Sequence, residues 1–260
     1  MIKKTINFLL GRRPTDIDSL ITNSLDFPRY TPHQFVFRGL KISTEDFISV
    51  AYQIKEFFGD KRMDFYSERP DPIIIDCGAN VGISILRFKS LFPKAKINAF
   101  EPDKNIFKCL EANLKANNVI DVNLIQKAVW TNNDGVDFGS EGADGGSIFF
   151  SENINKVPTI RLKDFLSSFD QIDFLKIDIE GAETDVLIDC KEELKKVKYL
   201  FVEYHSFVDQ PQNLDKLLNV LKENLFRYYI HSIGHIHEQP FMKQEKGIMD
   251  IQLDIHAIRQ

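Results

Sequence analysis

Long hydrophobic runs and closely spaced cysteine pairs are both missing from this 260-residue sequence. No run is long enough to cross a bilayer, and the apolar stretch at residues 6–10 is interrupted by Asn7 and too short for a signal-peptide core. The three cysteines, Cys77, Cys109 and Cys190, lack metal-ligand spacing, and a disulfide framework is not expected from them. We therefore expect a cytoplasmic protein with reduced thiols and no transmembrane segment.

An excess of positive charge is also absent. The formal net charge is -5 and the isoelectric point is about 5.7, which argues against a surface built mainly for nucleic acid. Internal repeats and low-complexity tracts are absent too, and nothing in the sequence indicates an oligomeric state. At this length we expect one sizeable α/β domain with an accessory segment.

Residues 1–70 differ from the rest of the chain in their hydrophobic pattern and are interpreted as an N-terminal accessory or lid segment. They have mixed hydrophobic periodicity and end where Pro70 and Pro72 mark a join. A single apolar stripe follows Ser43 and Thr44 and is typical of an amphipathic helix that one of these two residues would cap. Residues 71–260 are interpreted as the main domain.

From Ile73 onward, short apolar runs alternate with helical stretches, which is typical of a parallel sheet covered on both faces. The Gly- and Asp-rich stretch between Val129 and Asp164 predicts a hairpin, and two β-like runs at 226–234 and 249–260 predict an antiparallel last strand. The predicted strands are Ile73–Cys77, Lys96–Phe100, 122–128, Ile172–Ile177 and 199–204, and the predicted helices are 81–92, 104–117, 183–195 and 212–224.

The stretch "IIIDCGANVGIS" runs from an apolar strand into a turn that contains Gly78, Asn80 and Gly82. Small residues there expose the backbone to a ligand at the end of the first strand. The spacing matches neither a phosphate-binding P-loop nor a dinucleotide fingerprint. Asp76 would repel a pyrophosphate, but its carboxylate can accept hydrogen bonds from the amino group of an amino acid.

Glu101 ends the second predicted strand, where a carboxylate can accept hydrogen bonds from both hydroxyls of a ribose. An amino-acid site beside a ribose site describes S-adenosylmethionine. Two alternatives remain, a module that binds the cofactor without catalysis and a nicotinamide-dependent oxidoreductase. The oxidoreductase needs a third-glycine spacing that this turn lacks.

Six ordered segments resemble the FkbM family of S-adenosylmethionine-dependent methyltransferases: "IIIDCGANVGIS", "INAFEPDKNIFKCLEANLKANN", "QKAVW", "TIRLKDFL", "DFLKIDIEGAE" and "FVEYH". The resemblance extends from residue 35 to the end. It implies an α/β, Rossmann-like class I methyltransferase sheet of seven strands with an antiparallel last strand. It also implies O-methylation, often of a sugar hydroxyl in a glycan or natural product. The cofactor residues it assigns are Asp76, Gly78, Ala79, Asn80, Gly82, Glu101 and Pro102, with Ala128 and Val129 beside the adenine.

The fourth and fifth strands of such a sheet end beside the transferable methyl group. The candidate catalytic residues there are Lys176, Asp178, Glu203 and His205, with Glu180 and Glu183 nearby. We expect Asp178 and His205 to orient the acceptor hydroxyl and take its proton, because positioning contributes much of the rate of such a displacement. For Lys176 a structural ion pair is the alternative.

A metal-assisted variant stays open at the same edge. Asp178 and Glu203 could hold Mg²⁺, which would bind two sugar hydroxyls as a Lewis acid. The interpretation we prefer uses no metal. For the acceptor we expect a small molecule or glycan, with a sugar of a surface glycan or lipopolysaccharide precursor as the best candidate. Further candidates to contact it are His231, His235 and His237 and the aromatic residues Phe149, Phe150 and Tyr204.

Overall fold

The computed structural model describes residues 15–139, 154–233, 241–242 and 249–259. The accessory segment contributes α1 (Asp16–Ser24), the antiparallel pair β1 (His33–Phe37) and β2 (Leu40–Thr44), α2 (Phe47–Ile54) and a π-helical turn, Lys55–Asp60. The expected capping of α2 by Ser43 or Thr44 is wrong, because both residues pair with β1 inside β2. Asp46 takes the N-cap position without a capping side-chain bond, and its carboxylate instead accepts from Ser49 Oγ at 2.7 Å.

The main domain alternates strands with helices, as expected. Its elements are β3 (Ile73–Cys77), α3 (Ile83–Leu91), β4 (Lys96–Phe100), α4 (Lys104–Ala116), β5 (Val122–Ile125), β6 (Ala128–Trp130), β7 (Val136–Gly139), β8 (Ile154–Val157), β9 (Thr159–Arg161), α5 (Leu162–Ser167), β10 (Ile172–Ile177), α6 (Glu183–Asp189), a 3₁₀ turn (Leu194–Lys196), β11 (Val197–Phe207), α7 (Leu214–Glu223), β12 (Phe226–Ile233) and β13 (Met249–Arg259).

Seven strands form the central sheet in the order β12-β13-β11-β10-β3-β4-β5. Strands β3, β4, β5, β10 and β11 pair in parallel, whereas β13 runs antiparallel to both β11 and β12. Every residue of β10 is buried, as expected for a central strand with covered faces. The class I methyltransferase sheet with its reversed last strand is confirmed.

Three predicted boundaries are wrong. The strand predicted at 122–128 ends at Ile125, and β6 leaves the sheet to pair in parallel with β9. The helix predicted at 183–195 ends at Asp189, before a separate 3₁₀ turn. The strand predicted at 199–204 extends over Val197–Phe207, because β10 and β13 pair with it on its two sides. Apolar patterning did not reveal these breaks and extensions, since long-range pairing sets them.

The hairpin predicted from the glycine-rich segment is confirmed in its described part. Strands β7 and β8 pair antiparallel, from Val136 opposite Val157 to Gly139 opposite Ile154. The intervening residues 140–153 lie outside the described part of the chain.

Hydrophobic cores cover both faces of the sheet, because side chains alternate along each strand. Ile74 belongs to one core and Ile75 to the other. The first core also contains Phe37 and Ile54, so the accessory segment packs against the main domain. The division at residue 70 stays a prediction. Within the described ranges, no helix has both the length and the hydrophobicity needed to span a membrane.

Candidate active site

A cleft with a volume of about 400 Å³ lies at the carboxyl ends of β3, β4 and β10. Ligands of open α/β sheets bind at this edge. The predicted site residues that line the cleft are Gly78, Ala79, Asn80, Glu101, Pro102, Ala128, Val129, Lys176, Asp178 and Glu203. Asp76, Gly82 and His205 lie behind this lining.

The turn after β3 needs glycine for two reasons. Gly78 has a φ of 84° and Gly82 a φ of 90°, in the left-handed region that favours glycine. A Cβ atom on Gly78 would also lie 1.9 Å from the carbonyl oxygen of Asp178. The amides of Gly78 and Ala79 both donate to the carbonyl oxygen of Phe100, at 3.0 and 2.9 Å. The turn is therefore held against the ends of both β4 and β10.

Asp76 is fully buried in an ion network under the turn. Ser84 Oγ donates to its Oδ2 at 2.5 Å, and Lys176 Nζ lies 3.5 Å from its Oδ1. Lys176 Nζ also donates to the carbonyl oxygen of Gly78 at 2.8 Å and to Asp178 Oδ2 at 3.0 Å. The structural ion pair considered for Lys176 is thus present. Asp76 holds the turn through this network instead of facing the cleft.

The pKa values of Asp76 and Lys176 are both raised, for different reasons. Burial raises the pKa of Asp76, although Lys176 works against that shift. Burial works to lower the pKa of Lys176, but Asp178 and Asp76 outweigh it and raise that pKa. Lys176 is therefore a stable ammonium group that joins the turn to the end of β10.

Glu101 lies at the end of β4 with its carboxylate at the cleft wall. Its Oε2 accepts from the amide of Asn80 at 3.0 Å, and its Oε1 accepts from the amide of Asp103 at 2.8 Å. Burial raises the pKa of Glu101 to about 8, although the amide of Asp103 works against that shift. Each carboxylate oxygen has a further lone pair, so both can still accept ligand hydroxyls.

The remaining cofactor candidates form an apolar wall next to Glu101. Pro102, Ala128 and Val129 line the cleft beside Phe100 and Ile106. Ala128 and Val129 are buried, because β6 turns back to pair with β9. This wall can pack against a flat, largely apolar ring.

The carboxyl ends of β10 and β11 form the reacting edge, where the transferable methyl group is expected. This edge brings Asp178, Glu203 and His205 together, with ligand atoms within 4.8 Å of one another. Asp178 and Glu203 face the cleft. Asp178 Oδ2 is held by Lys176, and Gln252 Nε2 donates to Glu203 Oε1 at 2.5 Å. Side chains from β10, β11 and β13 thus meet at one end of the cleft.

His205 is 4% exposed and enclosed by carboxylates. Its Nδ1 lies 3.0 Å from Glu183 Oε1, and its Nε2 lies 3.4 Å from Glu203 Oε1 and 3.6 Å from Glu180 Oε2. Burial works to lower the pKa of His205, but Glu180 and Glu183 outweigh it and raise that pKa well above its ordinary value. The raised pKa favours the protonated imidazole, although Gln252 Nε2 also lies 3.3 Å from His205 Nε2.

Glu183 is an orienting group at the start of α6. Its Oε1 accepts from the amides of Ile179 and Gly181, at 3.2 and 2.9 Å, as well as facing His205. Glu180 instead lines the cleft and has a φ of 56°, which is strained for a residue with a side chain. Burial raises the pKa of Glu180 well above its ordinary value.

Glu56 is a cleft residue that the sequence interpretation missed. It lies in the π-helical turn Lys55–Asp60, which helical periodicity could not reveal. Glu56 forms a second group with Glu203 and Asp254, again with carboxylate oxygens within 4.8 Å of one another. Burial and the charge of Glu203 raise the pKa of Glu56 well above its ordinary value and that of Asp254 to about 6.

The other acceptor candidates have different outcomes. Tyr204 is 1% exposed and its hydroxyl accepts from the amide of Asn213 at 3.2 Å, so it packs in the core and does not line the cleft. His231 is exposed, and its ring packs edge to face on His256 at 5.3 Å. The other predicted contacts lie outside the described residues, namely His235, His237, Phe149 and Phe150.

Comparison with protein families gives a domain match. A family model described as the methyltransferase FkbM domain matches residues 76–228. This range begins at Asp76 and contains the turn, Glu101 and the reacting edge, but not the accessory segment.

Curated proteins similar to this chain include methyltransferases. The 2-O-methyltransferase NoeI of Sinorhizobium fredii is 32% identical over 159 residues, which cover 53% of this chain and 65% of NoeI. The methyltransferase sdnD of Sordaria araneosa is 28% identical over 183 residues, covering 56% of this chain and 71% of sdnD. The chain thus spans slightly less than two thirds of NoeI.

Among solved structures, the protein PH0793 of Pyrococcus horikoshii superposes with a TM-score of 0.51 at 14% sequence identity. The match covers 90% of this chain and 74% of that chain. At this identity the likeness supports the fold alone.

Proposed function

The chain belongs to the FkbM methyltransferase family, and from this premise we propose that it transfers the methyl group of S-adenosylmethionine to a sugar hydroxyl. The observation that carries the proposal is Glu101, whose carboxylate faces the cleft beside the glycine turn. Each of its two oxygens has a further lone pair, which supports the proposal that they accept the two ribose hydroxyls. A nicotinamide oxidoreductase is disfavoured, because the turn lacks the dinucleotide fingerprint and the chain belongs to a methyltransferase family.

We assign the cofactor one orientation in the cleft. With the ribose on Glu101, the apolar wall of Pro102, Ala128 and Val129 receives the adenine. The methionine end then lies along the turn Gly78–Asn80, towards Asp178. Asp76 contributes by holding this turn through Ser84 and Lys176.

The transfer itself is an in-line displacement, in which the acceptor oxygen attacks the methyl carbon and the sulfur leaves with the bonding electrons. Positioning contributes most of the rate, and a base takes the hydroxyl proton as the new bond forms. We assign both tasks to Asp178, which lies at the cleft next to the turn. Lys176 fixes its carboxylate through Oδ2, which leaves Oδ1 for the acceptor.

The structure changes the role that we propose for His205. Because its raised pKa favours the protonated imidazole and the residue is 4% exposed, we do not assign it the proton of the acceptor hydroxyl. It instead orients Glu203 and Glu180 from behind the cleft wall. His205 is a positioning residue in this proposal.

A hydroxyl-rich acceptor is supported by the composition of the reacting end. Asp178, Glu180 and Glu203 line it with carboxylates, which accept hydrogen bonds from hydroxyl groups. The similarity to NoeI, described as a 2-O-methyltransferase, supports transfer to oxygen. Residues of the accessory segment, among them Tyr52 and Gln53, supply the facing wall and support its role as a lid. The three cysteines are free, consistent with the cytoplasmic location that we expect.

Asp178, Glu203 and His205 do not fit Mg²⁺ well. Only two of the three side chains are carboxylates, and the imidazole nitrogen of His205 is not a preferred ligand of Mg²⁺. We therefore derive no step of the transfer through a metal at this trio.

The test is a transfer assay with S-adenosylmethionine labelled in its methyl group, using free sugars, nucleotide sugars and glycans as acceptors. Label in the sugar, located on oxygen by NMR, supports the proposal. Cofactor binding with no transfer to any acceptor would favour the non-catalytic module. Label recovered on nitrogen or carbon of another acceptor class would contradict the sugar assignment.

A further inference from the structure

Two carboxylates face each other across the antiparallel pair β11 and β13. Glu203 and Asp254 are register partners, so their side chains project from the same face of the sheet at neighbouring positions. Like charges directly opposite each other destabilise a sheet. Glu56 adds a third carboxylate from the accessory segment, within 4.8 Å of the other two.

The protein neutralises this charge only in part. Arg62 donates to Asp254 Oδ2, and Gln252 donates to Glu203 Oε1. Asp254 is completely buried, yet its Oδ1 has no hydrogen-bond partner among the described residues. Glu56 Oε1 is likewise buried and has no hydrogen-bond partner in the described part of the chain. Carboxylate oxygens buried without a partner carry a large desolvation cost.

We propose that Glu56, Glu203 and Asp254 bind one divalent cation of the oxygen-preferring class, Mg²⁺, Mn²⁺ or Ca²⁺. Three carboxylates without sulfur or nitrogen donors match the ligands of these hard cations. Arg62 and Gln252 supply the hydrogen bonds that ligating carboxylates receive in metal sites. The unpartnered oxygen of the wholly buried Asp254 distinguishes this group from an ordinary solvated acidic cluster.

A cation at this position joins the accessory segment to the central sheet. Glu56 belongs to the π-helical turn of the accessory segment, whereas Glu203 and Asp254 belong to the central sheet. Turns of this kind occur frequently at functional sites. The cation fastens the accessory segment over the acceptor end of the cleft. Its binding depends neither on S-adenosylmethionine nor on the acceptor.

The experiment titrates the EDTA-treated and dialysed full chain with Mn²⁺, following the free ion by electron paramagnetic resonance and displacing it with Mg²⁺ and Ca²⁺. We expect a single site in the wild-type protein. Glu56→Gln should weaken it by more than about tenfold, the loss typical even of outer-shell partners. Asp254→Asn should weaken it similarly, and Glu56→Gln decides the outcome if Asp254→Asn does not fold.

Glu68→Gln is the matched control, because it removes the same charge from an exposed residue of the accessory segment. It should bind Mn²⁺ like the wild type. Absence of Mn²⁺ binding at millimolar concentration would overturn the proposal, as would equal binding by Glu56→Gln. Loss of binding in Asp178→Asn with retention in Glu56→Gln would also overturn it, by moving the ion to the other trio. S-adenosylmethionine titrated into the same samples separates these failures from failure of the methyltransferase proposal.

Discussion

The two ends of the cleft are built differently. At the cofactor end, Glu101 receives both of its protein hydrogen bonds from backbone amides, and the turn after β3 donates to the backbone of β4. At the acceptor end, Glu56, Glu203 and Asp254 come from separate parts of the chain, and two of their oxygens are buried without a hydrogen-bond partner among the described residues. The cofactor end is thus completed by nearby backbone, whereas in our proposal the acceptor end is completed by a bound cation.

The largest loss of stability and of cofactor binding should come from a substitution of Gly78, which lies where the two ends of the cleft meet. Gly78→Ala places a Cβ atom 1.9 Å from the carbonyl oxygen of Asp178, so the turn or β10 must move. We expect a large loss of thermal stability together with loss of cofactor binding, measured by thermal unfolding and calorimetry.

Gly39→Ala is the matched control. Gly39 has a nearly equal φ of 85°, but apart from its two chain neighbours no described residue has an atom within 4 Å of the position that a Cβ atom would take there. The Gly39→Ala substitution should destabilise the fold only by the cost of a left-handed backbone at a residue with a side chain, about 1–2 kcal/mol. Equal destabilisation by the two substitutions would contradict the close approach of the turn to β10.

The next effect separates transfer from binding. Asp178→Asn should reduce turnover by roughly 10²–10⁴-fold, the range typical of a lost general base, while S-adenosylmethionine binding stays near the wild-type value. Single-turnover transfer and calorimetric affinity are the two measurements. Unchanged turnover would remove Asp178 from the reaction, and a parallel loss of binding would assign it to the cofactor end.

A smaller effect should be confined to the cofactor end. Glu101→Gln replaces a charged acceptor of the ribose hydroxyls, so binding should weaken by about 1.5–3 kcal/mol, typical of charged hydrogen bonds. Glu111→Gln, an exposed position on α4, should bind normally. If calorimetry gave the same affinity for both variants, the ribose assignment would be wrong.

The smallest effect is a pH dependence. Since the pKa of Glu101 is raised from 4.5 to about 8, the unliganded carboxyl keeps its proton in this interval. The ribose hydroxyls favour the ionised form, so affinity for S-adenosylmethionine should rise with pH up to about 8, with proton release on binding. Calorimetry in buffers of different ionisation enthalpy measures that release, which Glu101→Gln should abolish.

The free energy of unfolding depends on the same proton, but it changes with pH in the direction opposite to the affinity for S-adenosylmethionine. Between pH 4.5 and about 8 the folded, unliganded protein binds the Glu101 proton and the unfolded chain does not. The contribution of this group to stability therefore falls as pH rises through that interval. A contribution that rose with pH would contradict the raised pKa.

The same contrast explains how much the sequence could predict. The strands β3, β4 and β10, the glycine turn and Glu101 follow from short patterns, because each depends on neighbouring residues. The likeness of ordered segments also identified the family and the reversed β13. These features concern mainly the cofactor end.

Features that depend on distant contacts could not be predicted. The π-helical turn that brings Glu56 to the cleft departs from helical periodicity. The pairing of Glu203 with Asp254 requires the register of β11 against β13, and the ion network of Asp76 requires β3 beside β10. The break between β5 and β6 likewise depends on pairing with β9.

The most direct test is a calorimetric titration of the full chain with S-adenosylmethionine, S-adenosylhomocysteine and NAD⁺, repeated with Glu101→Gln. We expect the first two ligands to bind the wild type, to bind the variant more weakly, and NAD⁺ to bind neither protein. Binding of NAD⁺ in place of the other two, or of none of the three, would contradict the assignment of this cleft to methyl transfer.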